Sequence, residues 1–405
     1  MSVFKGHGVT VNELLKVVPE SLLSHLSQST KVDHYTKVLH GKKLFYLLMY
    51  GILENEKLSQ RSLEDTFNDP VFKTLFSLDM EESVCRSSIS ERLSKIDPIY
   101  FKEVYENIYE QFSSLYSPRE KSRHHLIRVD SSMVSETVGK LLEGMDNKSG
   151  KKAVKYSIAF DGILPCESQV YTSAKYGSED IALPDVIRNH VKKEKHHKNL
   201  YLIDRGLQST RNMEDFSNEG ILFICRAKEN RKYLELESLI AHEQNLDIGD
   251  AILMKDAKAQ LYTGIETISK KGTKYYKEKL VEQHFRLVLI QNKEDNKTYM
   301  FLTNDFELSA KEIAQAYRKR WDIEVFFRFI KQELNVSHLV SLNKNGITVM
   351  LYMTLIVAMM ILIYKKLNKL GYKTAKRRFA MEVRNMAIAC IVLHCGGDPK
   401  LMFKT

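Results

Sequence analysis

The sequence predicts an α/β protein in which strands and helices form a core between two helical ends. Three observations predict it. Apolar residues recur at helical spacing from about residue 10 to 115, change to strand-like alternation from about 120, and return to a helical run from Ser309. Gly and Pro are scarce, 18 and 7 in 405 residues, which favours long helices and excludes collagen-like or proline-rich chain. Hydrophobic residues make up 43% and charged residues 28%, values that exclude a disordered chain and a multi-spanning membrane protein. A chain of this length has room for two or three compact units.

The elements follow in order. Leu44, Phe45, Leu47, Leu48 and Ile52, and again Phe101, Val104, Tyr105, Ile108 and Phe112, predict a small all-helical domain over 1–119. Within it, Ser88 and Glu91 match a capping box at a helix start, after a short helix over 62–67 and a turn at Pro70. That pair fits a helix-turn-helix module as well as an ordinary helical bundle. Strands over 126–130, 155–160 and 163–171 come next, with Asp161-Gly162 as a tight turn. A helix over 184–193, a strand over 200–203 ending at Asp204-Arg205-Gly206, a helix over 209–216 and a strand over 221–224 complete the first part of the core, 120–226. Strand, strand, strand, helix, strand, helix, strand is the order of a ribonuclease-H-like core. The alternation over 227–303, with a turn at Lys271-Gly272-Thr273, predicts a β-strand insertion, and the helical run from Ser309 a core helix within 304–345. The C-terminal helices, 346–405, begin with the apolar run 347–364. Cations flank it at both ends, Lys344, Lys365 and Lys366, and give no membrane orientation, so a buried core helix on the sheet is expected.

On an uninterrupted helix over 317–334, Tyr317, Arg320, Glu324, Arg328 and Lys331 share one stripe, and Ile323, Phe326, Phe329, Ile330 and Leu334 lie opposite. A solvated face stitched by i,i+4 pairs such as Arg320 and Glu324 explains that stripe. So does a lone carboxylate presented among phosphate-binding cations. Two aspartates upstream bear on the choice. Asp130 ends the first strand and Asp204 ends the strand expected beside it, so two carboxylates meet at one sheet edge. Hard, oxygen-ligated Mg²⁺ asks for such a cluster, and a third carboxylate over the same edge completes a two-metal site for in-line phosphoryl displacement.

Asp130, Asp204 and Glu324, with Tyr317, two residues, Arg320, three residues, Glu324, six residues and Lys331, resemble the DDE transposases of the insertion-sequence-four group and their Y-R-E-K signature. The likeness runs from about 35 to 395, and the acidic residues lie 74 and 120 residues apart, which leaves room for the β insertion. The resemblance implies a helical N-terminal DNA-binding domain, a ribonuclease-H-like core and cut-and-paste chemistry. Asp130, Asp204 and Glu324 would hold two Mg²⁺ (or Mn²⁺), water would cut the transposon end, and the freed 3′-OH would attack target DNA. Tyr317, Arg320 and Lys331 would contact phosphates of the end. Implied partners are terminal inverted repeats and target DNA, with a homodimer in the DNA complex and no membrane. A structure-selective nuclease on the same core and a non-catalytic DNA-binding regulator remain alternatives.

The remaining signals are weaker. A net charge of +10 favours polyanionic partners. Five Cys without a CxxC pair argue against a disulfide framework or zinc ribbon and for a reducing cytoplasm, and Met1 to Lys16 shows no secretory h-region. Gly144 to Lys152 fails the phosphate-loop spacing and is expected to be a flexible basic loop. Lys148, Lys151, Lys152 and Lys155 there, and the basic run 192–198, fit either a DNA backbone or solvent. Cys390, His394 and Cys395 are expected in a buried helix, Trp321 in the core, and Gly206 in a sharp turn.

Overall fold

The structure, a computed structural model, describes residues 8–113, 124–135, 141, 143–146, 150–193, 198–240, 246–268, 274–336 and 339–401. Lys148, residues 194–197 and the turn Lys271-Gly272-Thr273 lie outside the described residues. The chain opens with α1 (Val11–Leu15), α2 (Glu20–Ser29), α3 (Gly41–Glu54), α4 (Gln60–Asn68), α5 (Pro70–Leu75), α6 (Arg86–Lys95) and α7 (Ile99–Phe112). The stripes of α3 and α7 are buried, with Phe112 partly so at the rim. Pro70 opens α5, where its missing N–H costs nothing. The expected capping box at Ser88 does not form. Cys85 is extended and precedes the first helical residue, Arg86, so Ser88 already lies within the first turn.

The strands are β1 (His125–Ser135), β2 (Met145–Asp146), β3 (Lys152–Phe160), β4 (Pro165–Tyr171), β5 (Asn199–Ile203), β6 (Leu222–Arg226), β7 (Tyr233–Ser238), β8 (Leu246–Asp247), β9 (Ala251–Ile268), β10 (Lys274–Leu280), β11 (Phe285–Asn292) and β12 (Thr298–Thr303). They join into one mixed sheet in the order β10-β9-β11-β12-β6-β5-β1-β3-β2, with β4 on β3 and β7 and β8 along β9. The pairs β1–β5 and β5–β6 are parallel, and β1–β3 and β12–β6 antiparallel. The strand-rich segment after β6 joins the same sheet. β12 takes the open edge of β6 and satisfies backbone groups that an edge leaves bare. The turn at Asp161-Gly162 is longer than two residues: Phe160 pairs with Pro165, Gly162 sits at φ 101°, and Asp161 Oδ1 accepts the Ile163 and Leu164 N–H groups at 2.7 Å each.

Alternation along the strands builds two apolar layers. Ile127, Val129, Tyr201, Ile203 and Phe223 meet α8 (Glu179–Lys193) and α9 (Thr210–Asn218) on one face. Leu200, Leu202, Ile224 and Phe301 meet α10 (Ala310–Arg318) on the other. Helix α8 begins five residues earlier than expected, with Pro184 in its interior. Proline there cannot donate to the Asp180 carbonyl, and Asn212 Nδ2 of α9 donates to it instead at 2.6 Å. Next to α10 lies α11 (Trp321–Glu333), whose Phe326 stacks on Phe160 of β3 at 4.8 Å.

The C-terminal helices are α12 (Lys344–Leu367) and α13 (Tyr372–His394). Among the described residues α12 is the helix long and apolar enough to cross a membrane, and 94% of its apolar window is buried. It packs chiefly among α3, α6, α7 and α13 and meets the sheet at β4. The end of α13 stands clear of the core: Cys390 is half-buried, and His394 and Cys395 are exposed, contrary to the expected buried helix.

Candidate active site

Parallel pairing of β1 with β5 sets Val129 opposite Ile203, so Asp130 and Asp204 follow side by side, one strand spacing of about 4.8 Å apart along the backbone. Ile127, Val129 and Ile203 point into the layer under α8 and α9, so alternation turns both aspartates to the opposite face, under α10 and α11. The Ser131 N–H donates to Asp130 Oδ1 at 2.7 Å, and the Tyr317 hydroxyl donates to Asp204 Oδ1 at 3.2 Å. Arg320 donates to Glu324, and its Nη1 lies 4.0 Å from Asp130 Oδ2 and its guanidinium 5.7 Å from the Tyr317 ring centroid. Asp130, Asp204, Glu324, Tyr317 and Arg320 thus share one neighbourhood. Lys331 is half-exposed on α11, seven residues and about 10 Å along the axis from Glu324.

The single helix over 317–334 is interrupted. Tyr317 belongs to α10 and Glu324 to α11, with Lys319 and Arg320 between them. Backbone bonds tighten to i,i+3 there, with Arg320 N–H donating to Tyr317 O at 2.9 Å and Asp322 N–H to Lys319 O at 3.1 Å. A residue of β1 is bound at the break. Arg128 is buried, and its Nε donates to the Lys319 carbonyl at 3.0 Å, Nη2 to Asp322 at 2.8 Å and Nη1 to Asp161 O at 2.8 Å. It fastens the junction that carries Arg320 to the strand that carries Asp130. Trp321, just beyond, is 53% exposed rather than in the core, with the Arg328 guanidinium 5.9 Å from its ring centroid.

Two acidic residues that sequence reasoning missed brace the sheet edge from behind. Glu179 accepts from Ser131 Oγ at 2.8 Å and from Lys155 Nζ at 2.9 Å. Arg205 and Gly206 make the expected turn, closed by the Leu207 N–H donating to the Asp204 carbonyl at 3.3 Å, and the Glu179 side chain lies against Gly206: a Cβ there would come within 2.7 Å of Glu179 Cγ, so close approach also favours the glycine. Asp180 accepts the N–H groups of Gln208 and Ser209 at 2.7 Å each and holds the loop that follows Asp204. Lys155 is correspondingly buried and is no backbone-tracking lysine. The available signals were a cation inside an apolar strand, Arg128, and an acidic pair at a helix start, Glu179-Asp180.

Burial raises the pKa of Asp130 to about 6, partly offset by the Ser131 N–H and Arg320, with Glu179 and Asp204 adding to the rise. Burial, and then the Asp204 charge, push the Tyr317 phenol well above its ordinary value, so it stays a donor. Nε and Nη1 of Arg320 are buried with no hydrogen-bond partner among the described residues. Also among the described residues, no three His, Cys, Asp or Glu side chains are grouped to hold a metal ion, and Arg320 stands between Asp130, 4.0 Å from its Nη1, and Glu324, to which it is bonded.

A mixed sheet with one acidic side chain within β1, where its parallel pairing with β5 ends, another just past β5, and a helix presenting a third beside them, defines a mixed α/β core with an acidic cluster; β1 runs on to Ser135, so Asp130 does not end the strand as expected. A family model described as Transposase DDE domain matches residues 121–360, more than half of the chain, and the chain belongs to that family. Curated relatives are described as transposases. One, for insertion sequence element IS5377 of Geobacillus stearothermophilus, is 29% identical over 144 residues, 36% of this chain and 33% of the relative. Another, for insertion sequence element IS4SA of Synechocystis sp., is 36% identical over 75 residues, 17% of this chain and 22% of the relative. A third, y4zB of Sinorhizobium fredii, is 36% identical over 76 residues, 19% and 21% of the two chains. The chain matches about a third or less of the length of each.

Proposed function

We propose that this transposase-family chain is a cytoplasmic, metal-dependent cut-and-paste enzyme of the insertion-sequence-four group, which cleaves DNA at the inverted repeats of its element and joins the ends to target DNA. The observation that carries the reading is the parallel β1–β5 register, which makes Asp130 and Asp204 neighbours on the face where Arg320 links to Glu324. The donor set fits Mg²⁺ or Mn²⁺ in its chemistry: three carboxylates, hard oxygen ligands, one of them charged only at a cost. Asp130, Asp204 and Glu324 would hold the ions. The chemistry that two such ions supply when bound is activation of a water or 3′-hydroxyl and stabilisation of the leaving oxygen in an in-line displacement.

The chain's own groups do the rest. Ser131 and Tyr317 each tie down one oxygen of an aspartate, which leaves the other available. Arg320 holds the carboxylates' charge while the site is free, and its buried, unmatched N–H groups suit a DNA phosphate with bidentate geometry. Lys331, farther along α11, would meet a neighbouring phosphate as a point charge. The Y-R-E-K residues would then bind the transposon end, the helical domain over 1–119 would bind DNA, the strands over 227–303 would serve as the insertion, and two copies would pair around the ends. Purified Asp130→Ala, Asp204→Ala and Glu324→Ala proteins, given Mg²⁺ and DNA carrying the element's own ends, should bind but not cut. Wild-type 3′ ends should join to a second DNA. Cutting at the wild-type rate by any of the three variants overturns the reading.

A further inference from the structure

The row that aligns Asp130 with Asp204 continues one strand further. β5 pairs with β6 in parallel, Ile203 opposite Cys225, so Arg226 follows beside Asp204. Ile224 lies in the layer under α10 and Cys225 in the opposite one, so alternation turns Arg226 to the same face as both aspartates. Its guanidinium lies over the Tyr299 ring of β12, 4.5 Å from the centroid. Stacking holds the planar group by one face and leaves its N–H edge to bond a partner. Arg226 also lines a cleft of about 390 Å³ with Arg205, Lys228 and Glu229, where three cations outnumber one carboxylate. Arg205 is the residue after Asp204, and the cleft therefore opens beside the acidic edge.

We propose that this cleft is a phosphodiester subsite: Arg226, with Arg205 and Lys228, grips the backbone of the DNA strand next to the bond positioned at Asp130 and Asp204. The assignment rests on the transposase reading and extends it to residues outside the Y-R-E-K positions. The spacing suits it. Arg226 stands about 4.8 Å from Asp204 and about 10 Å from Asp130 across the sheet, near enough for one strand to lie along the row. A preorganised guanidinium gives a bidentate anchor, and the two exposed cations add screening-sensitive charge.

The test is fluorescence anisotropy of the full chain in EDTA with a labelled duplex of arbitrary sequence, followed across KCl concentrations. Removing one cation–phosphate pairing should lower the slope of log affinity against log salt by about 0.9. Arg226→Gln should lower it by about one phosphate's worth, and the Arg205→Gln, Arg226→Gln, Lys228→Gln triple by about two to three, whereas Arg226→Lys should restore much of the slope. A charge-matched substitution on α8, Arg188→Gln, on the opposite face of the sheet and paired with Glu219, should leave the slope as it is. Unchanged slopes in the Arg226 variant and the triple, or an equal fall in the Arg188 control, overturn the subsite. If Arg226→Gln fails to fold, the exposed pair Arg205→Gln, Lys228→Gln decides by the same slope, with a fall supporting the subsite and no change overturning it. Because metal is absent, the result is independent of cleavage by the Asp130→Ala protein, on which the parent reading stands or falls.

Discussion

Arg286 and Arg320 both face carboxylates, and they do so differently. Arg286 of β11 is closed into the sheet: its Nε and Nη2 meet Asp256 of β9 at 2.8 and 2.7 Å, its Nη1 reaches the Leu308 carbonyl, and both side chains are under a tenth exposed. Arg320 meets Glu324 through one nitrogen, stands 4.0 Å from Asp130, and keeps two buried nitrogens unmatched. The first pair is bidentate with each nitrogen partnered, as a structural clamp must be when charges leave water. The second is left incomplete at the sheet edge, beside a carboxylate whose charge burial disfavours. A site that must release its own partners to a ligand is built with spare donors and acceptors, and a clamp is not.

The contrast breaks most sharply under substitution. Removing Asp130, Asp204 or Glu324 should cost several kcal/mol of transition-state stabilisation, about a thousand-fold or more in strand cleavage, read as product from a labelled transposon end. Asp256→Ala should instead act on the fold, destabilising the chain by about 3 to 5 kcal/mol in urea unfolding, because it strands a buried guanidinium. A small effect there would put Arg286 in the same class as Arg320.

Asp130→Asn sharpens the comparison through pH. With a folded pKa of about 6 against about 3.9 unfolded, the native state binds more protons than the unfolded chain between those values. Stability therefore falls as pH rises from about 4 to about 6 and then levels. The Asn variant, which has no charge to bury, should be about 1 to 3 kcal/mol more stable than wild type at pH 8 in EDTA and no more stable near pH 4. Urea curves at the two pH values check it, and a gain that persists at low pH contradicts the cause. The smallest expected effect on stability is that of Arg320→Gln, smaller than that of Asp256→Ala because the change removes two buried, unmatched nitrogens together with one ion pair, although its DNA affinity should lose about one phosphate's worth of salt dependence. Equal destabilisation by Arg320→Gln and Asp256→Ala would erase the distinction.

Much of the fold was legible because it rests on periodicity. Helical stripes such as Leu44 to Ile52 are local patterns, as are strand alternation around Val129 and Ile203 and the apolar run of α12. The residue types of the candidate site were legible for the same reason, being few carboxylates beside apolar strand runs and a spaced set around Glu324, although β1 runs five residues past Asp130. Other features depended on partners remote in sequence. Nothing between Ala316 and Ile323 is a Gly or Pro, so no local signal announces the break between α10 and α11. The start of α8 was hidden by Pro184, which cannot donate to the Asp180 carbonyl and leaves it to be satisfied from α9. Trp321 was assigned to the core by a helical wheel drawn through a junction that is not uniformly helical.

What the sequence by itself determined is which side chains could do chemistry and which faces had to be buried, since both follow from residue type and from periods of two and 3.6. Only the tertiary structure decided what those side chains are to one another. Hydrogen-bond register between β1, β5 and β6 lines up Asp130, Asp204 and Arg226, three residues scattered over nearly a hundred positions, and Arg128 reaches 191 residues along the chain to hold Lys319 and the turn that carries Arg320. Proximity of that kind comes from pairing and packing between distant segments, and no local pattern encodes it.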